Sequence, residues 1–265
     1  MSNLSDLLLF YRDAGVDAAL NDAPVDHFAE VKEAQQQPTP AAAPVVDTPP
    51  VPPTRQPARA AVPDGGQISK ARDMARDAKT LDELRALVDA FDGCNLKFTA
   101  KSLVFGNGNP AADLMAIGEA PGRDEDLQGL PFVGRSGKLL DLMLAAIGRD
   151  RTDTYITNVI PWRPPGNRTP TPQETEICRP FIERHIELVN PKVILALGGP
   201  SAKLIAQTTE GIMRLRGNWK TYRTSEGTEM AVMPSLHPAY LLRNPAHKRL
   251  AWRDFLAVKM RLKES

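Results

Sequence analysis

Cysteine is scarce in this chain. Two thiols, Cys94 and Cys178, among 265 residues exclude a disulfide framework and cannot by themselves build a zinc site; in a reducing compartment both are expected to be free. No apolar run approaches the roughly 20 residues that a membrane-spanning helix needs. The N-terminal MSNLSDLLLFYRD has neither a basic leader nor a cleavage site, so a cytoplasmic protein is expected. Neither GxGxxG nor GxxxxGK(S/T) occurs, which argues against a nucleotide-binding protein on a doubly wound sheet. A dominant charge is also missing. The net charge of +1 combines four Lys/Arg against eight Asp/Glu in residues 1–62 with 29 against 24 in the remainder. A surplus of that size is ordinary for a soluble domain, so charge permits a basic face without arguing for one.

Proline, by contrast, is plentiful, with 24 residues. Residues 35–63 run QQQPTPAAAPVVDTPPVPPTRQPARAAVP and read as an extended, disordered linker with little to bury. Ahead of it, residues 1–34 contain LSDLLLFYRDAGVDAAL, a short helical segment with an apolar face. Residues 64–265 are left as the folded domain.

In that domain β-type apolar runs alternate with helical ones. DLMAIG (113–118), TYITNVI (154–160), KVILALG (192–198) and MAVMPS (230–235) read as strands; ISKARDMARDAK, LDELRALVDAF, SGKLLDLMLAAIG, TPQETEICRPFIERHIELVN and GPSAKLIAQ read as helices. Thr80 with Glu83 forms a capping-box start. The alternation predicts an α/β fold of three layers, α/β/α, with a central parallel sheet of about four strands. Ligands bind such sheets at the carboxyl ends of the strands. The loops that follow Ile117, Ile156 and Met233 are rich in polar groups: GEAPGRDEDLQGLPFVG, TNVIPWRPPGNRTP with Asn158 and Asn167, and PSLHPAYLLRNP with His237. Each residue alone has a structural use as a cap or turn. The first loop is acidic, with Glu119, Asp124, Glu125 and Asp126, and would repel a phosphate.

GEAPGRDEDLQGLPFVGRSGKLLD, TNVIPWRPPGNRTPTPQE, PKVILALG and HPAYLLR, in this order and spacing, resemble the family 4 uracil-DNA glycosylases over roughly residues 90–262. The resemblance implies hydrolysis of the bond between uracil and deoxyribose, leaving an abasic site at the start of base excision repair. It also makes sense of the acidic loop. Breaking an N-glycosidic bond builds positive charge on the sugar and needs a placed water, and a carboxylate serves both needs. By resemblance Glu119 positions the water, the backbone around Gly118, Pro121 and Gly122 shapes the turn, and Gly118, Ala120 and Gly122 belong to the substrate-binding set. Phe132 is the ring on which the flipped base stacks, Asn158 pairs with the uracil edge, and Glu125 crowds the base C5 position. His237 donates to the uracil oxygen as charge develops there. Asn167 belongs to the same pocket. Trp162 lies between Asn158 and Asn167 and so bears on the base range, including hypoxanthine or xanthine. The segment Pro238–Arg243 is expected to be a wedge loop, with Leu241 or Leu242 entering the duplex. Arg163, Arg168, Arg243 and Lys248 are expected on phosphates.

Family 4 enzymes typically hold a [4Fe–4S] cluster on four cysteines. Here Cys94 and Cys178 fit two of those positions, while Phe91 and Trp162 occupy the others. Two thiolates cannot supply a four-cysteine shell. The sequence therefore leads to the expectation of no cofactor and no metal, with Phe91 and Trp162 filling the volume. A monomer is expected, acting on uracil-containing DNA, double- or single-stranded. Leu7–Phe10 resembles the Leu/Phe motif that binds the bacterial sliding clamp, without its leading glutamine. The rival reading is a non-catalytic module for damaged or single-stranded DNA; it would not need Glu119, Asn158 and His237 together.

Overall fold

The computed structural model describes residues 64–264. The segment 1–34, the linker 35–63 and the clamp-like Leu7–Phe10 lie outside the described residues. Two helices lead in, α1 (Asp64–Asp77) and α2 (Leu81–Ala90), the second started by the predicted capping box. Thr80 Oγ1 accepts from the Glu83 amide at 3.2 Å, and the Glu83 carboxylate accepts from the Thr80 amide at 3.2 Å.

Strands and helices then alternate: β1 (Asn107–Gly108), β2 (Leu114–Gly118), α3 (Arg123–Gln128), α4 (Arg135–Ala146), β3 (Thr154–Asn158), α5 (Pro172–Val189), β4 (Val193–Leu197), α6 (Gly199–Ile205), α7 (Ile212–Leu215), β5 (Lys220–Arg223), β6 (Glu229–Ser235), α8 (Pro238–Arg243) and α9 (Lys248–Glu264). The sheet order is β1-β3-β2-β4-β6-β5. Its four inner strands are parallel, as the alternation predicts, and fall at the predicted places. Two short antiparallel strands close the edges beyond what the sequence pattern predicts. β1 has only two residues, and a Cβ on its Gly108, at φ +112°, would lie 2.0 Å from the Thr154 carbonyl oxygen.

Burial on both faces explains why the inner strands are apolar runs rather than alternations. Met115 and Ile117 of β2 join the cluster that also contains Leu84 and Val88 of α2 and Phe181 of α5. Leu114 and Ala116 turn to the other face, against Leu140 and Leu144 of α4 and Phe255 and Val258 of α9. Two apolar layers thus fix the register, since a slip of one residue would exchange the faces. Among the described residues no helix is long and apolar enough to cross a membrane.

Replacing Thr80 by Ala removes the cap of α2 and is expected to cost about 1 kcal/mol. Urea denaturation would show this as a lower midpoint with an unchanged slope; an unchanged midpoint would mean that α2 does not depend on its cap.

Candidate functional site

β2 and β3 run in parallel and end side by side, with Gly118 paired to Asn158. The loops leaving them stay bonded, through Val159 N to Gly118 O at 2.9 Å and Ile160 N to Glu119 O at 3.0 Å. This brings Glu119, Asn158 and the loop after β6 around one cleft of about 550 Å³. Glu119, Ala120, Gly122, Glu125, Phe132, Asn158, Asn167 and His237 line it, as do Arg168 and Arg243.

Gly118 lies beneath this cleft and needs to be a glycine for reasons of space. A Cβ there would approach Asn158 Oδ1 to 2.3 Å and the Phe132 ring to 2.6 Å, distances that real side chains do not tolerate. The missing side chain lets amide and ring lie together over the end of β2. Phe132 is 4% exposed and has a positive φ of 53°. Its ring stacks on the His237 imidazole at 5.5 Å and 28°.

Asn158 is 5% exposed. Its Oδ1 is the one buried side-chain nitrogen or oxygen among the described residues without a hydrogen-bond partner in the protein. Leaving such an acceptor unpaired costs on the order of 1–3 kcal/mol. A ligand offering an N–H removes that penalty.

His237 caps α8. Its Nδ1 accepts from the Ala239 amide at 3.1 Å, which places the proton of the neutral ring on Nε2. Burial, and then the Arg243 charge, lower its pKa from the usual 6.5 to about 4. Gly198, at φ +93°, backs it, with room for a Cβ only 3.1 Å from His237 Cβ. Two residues upstream, Ser235 Oγ donates to Asp254 at 2.7 Å and Arg216 Nε donates to the same carboxylate at 3.1 Å. This buried group fixes the end of β6 from which the histidine departs. Burial also raises the Glu119 pKa.

The acidic loop divides its charges between two uses. Glu125 is 7% exposed; its two oxygens accept from the amides of Gly122 at 3.1 Å, Val133 at 2.9 Å and Gly134 at 2.9 Å. Glu125 therefore ties the loop to itself while it also lines the cleft, a structural use beside the expected one at the base C5 position. Asp126 does similar work on Lys101 N at 2.8 Å and Ser102 N at 3.2 Å. Neither role shows in the sequence, because the partners are backbone groups.

The expected wedge segment differs in form. Pro238–Arg243 is a helix, not a loop, begun by His237 as cap and proline at its first position. Leu241 is wholly buried with Leu236 and Ala251, whereas Leu242 is 36% exposed. Of the two leucines expected as the wedge, Leu242 is thus the accessible one. Arg163 donates to Asn167 Oδ1 at 2.7 Å. Arg168 is paired with Glu174, Nη1 to Oε2 at 2.9 Å; Lys248 is exposed at the start of α9. Trp162, 2% exposed, belongs to the same large buried cluster as the two cysteines and is not among the residues lining the cleft.

Residues 105–256 match the Uracil DNA glycosylase superfamily. The chain is similar to the Type-4 uracil-DNA glycosylase of Archaeoglobus fulgidus, 41% identical over 67% of this chain and 90% of the relative. It is also similar to those of Sulfurisphaera tokodaii, 37% identical over 68% and 84%, and Thermotoga maritima, 38% over 64% and 88%. These relatives overturn the expectation of no cofactor, since type 4 is the iron–sulfur family and its kinship points to a [4Fe–4S] cluster. At the corresponding place Cys94 Sγ and Cys178 Sγ lie 3.9 Å apart, with Phe91 and Trp162 buried in the same cluster. The donors there amount to two of the four thiolates such a group takes.

The His237 ring is expected to stay neutral down to about pH 4, because burial holds its pKa below the ordinary value. Ring-carbon chemical shifts followed against pH would report this; a midpoint near the ordinary 6.5 would contradict it.

Proposed function

The chain belongs to the uracil-DNA glycosylase superfamily, and from that premise we propose the part each cleft residue takes in catalysis. The protein is a uracil-DNA glycosylase, a hydrolase that acts on uracil-containing DNA in DNA repair. Its product is free uracil and an abasic site.

The unpaired Oδ1 of Asn158 is the observation that carries the assignment. Uracil has an N–H flanked by two carbonyl oxygens; an amide that accepts from that N–H and donates to one neighbouring oxygen answers two of these groups at once. The base must leave the duplex to reach this amide, and the Phe132 ring, sharing the space over Gly118, gives it a face to stack on.

As the C1′–N1 bond lengthens, its electron pair moves into the base and positive charge grows on the sugar. His237, neutral and with its proton held on Nε2 by the Ala239 amide, donates a hydrogen bond to the uracil oxygen on which the negative charge collects. A neutral donor suits this step because it stabilises the leaving anion without needing an acidic medium. Glu119 in its ionised form holds the water that adds to C1′, takes up the water's proton and offsets the cationic sugar. On the DNA side, Leu242 is the exposed leucine of α8 and enters the gap left by the base; Arg243 at the cleft edge meets a phosphate. Arg168 lines the same cleft.

Cleavage of a single-uracil oligonucleotide followed by alkali tests the assignment. Asn158→Ala, His237→Ala and Glu119→Gln are each expected to lower the single-turnover rate by about a hundredfold or more. A variant that kept the parent rate would remove its residue from the chemistry. Leu242→Ala is expected to slow double-stranded substrate at least several-fold more than single-stranded, since only a duplex needs its gap filled; equal slowing on both would count against the wedge.

The acid limb of kcat follows from Glu119, whose carboxylate must be ionised. Burial raises its pKa, so activity falls with decreasing pH at a value above that of an ordinary glutamate. His237 remains neutral throughout that range. A pH profile in which the limb lay at or below the ordinary glutamate value would contradict this order.

A further inference from the structure

Phe132 keeps a backbone conformation that a bulky side chain rarely adopts, φ 53°, and such strain persists only where surrounding bonds hold it. The bonds come from two sides. Glu125 takes the amides that follow, Val133 and Gly134. Arg151 takes the carbonyls: its Nη1 donates to Pro131 O at 3.1 Å and its Nη2 to Phe132 O. The guanidinium is itself aimed, through Nε to Asp141 Oδ1 at 2.8 Å and Nη1 to Asn107 Oδ1 at 3.3 Å. Below the same peptide, Gly137 of α4 leaves no room for a side chain; a Cβ there would lie 1.7 Å from Phe132 O.

We propose that Arg151 is a positioning residue for catalysis, holding Phe132 in its strained conformation so that the ring stands ready for the flipped base. This rests on the reading of Phe132 as the stacking ring. Arg151 does not line the cleft; it acts through two carbonyl oxygens. A planar donor fork matches a pair of neighbouring carbonyls while its Nε stays bound to a carboxylate, which a lysine cannot reproduce. Without it, the ordinary φ region becomes available to Phe132, and the ring leaves its place over Gly118.

The experiment is a double-mutant cycle between Arg151→Met and Phe132→Ala, measured as single-turnover rate and as KM on uracil-containing DNA, with binding of abasic-site DNA alongside. Arg151→Met is expected to lower the rate about tenfold, as misplacement of a reacting partner by a fraction of an ångström does. Its affinity for abasic DNA should stay within about twofold, and in the Phe132→Ala background the further loss should shrink below about twofold. An equal loss in both backgrounds, or no loss in either, overturns the positioning role. A general loss of fold would lower abasic-DNA binding as well. In that case Asp141→Asn, which keeps the arginine and removes its charged anchor, must give a smaller rate loss with the same dependence on Phe132, or the proposal fails. Full activity of Phe132→Ala alone instead overturns the stacking assignment, a distinct result.

Discussion

The carboxylate of Glu125 is the constraint on which the cleft depends. It is buried, and it accepts from amides on both sides of the loop, Gly122 before it and Val133 and Gly134 after it. A charged acceptor on several backbone N–H groups is worth roughly twice a neutral one, so the loop closes on a single internal anion. The residues from the first two strand ends are placed relative to that closure. Glu119 leaves the strand just ahead of it, Phe132 stands just behind it, and Asn158 meets both over the bare Cα of Gly118.

A cleft assembled from two loop ends and a third strand needs its third contribution held as firmly. The group Ser235, Asp254 and Arg216 does this for the histidine. Asp254 is buried, and its pKa is raised by burial against the opposing pull of Arg216 and Ser235. Through its bond with Ser235, Asp254 anchors β6 to α9 away from the cleft lining. The positions of Glu119 and His237 are thus set by two separate buried carboxylates, Glu125 and Asp254.

Much of this was legible in the sequence. Four parallel strands announced themselves as short apolar runs because both faces of each are covered, and Thr80 with Glu83 marked a helix start. The cleft residues were legible as a motif resemblance, with loops at strand ends to support it. What escaped had physical reasons. β1 is two residues long and β5 reads KTYR, neither an apolar run. Leu241 and Leu242 are identical in sequence terms and separate only when α9 and Leu236 cover the first. Glu125 and Arg151 act on backbone groups that every residue carries, so no spacing reveals them. The cysteine count pointed away from an iron–sulfur group, and kinship to type-4 enzymes corrected it; composition counts ligands but carries no lineage.

The short edge strand has a consequence for the protein's life in a crowded solution. β3 would otherwise be the outermost parallel strand, with its free N–H and C=O groups available to another chain. Two residues of β1, seated only because Gly108 lacks a side chain against Thr154, cover that border. A larger residue at 108 would press on the Thr154 carbonyl and loosen that cover, opening a row of β3 amides to pairing with another chain.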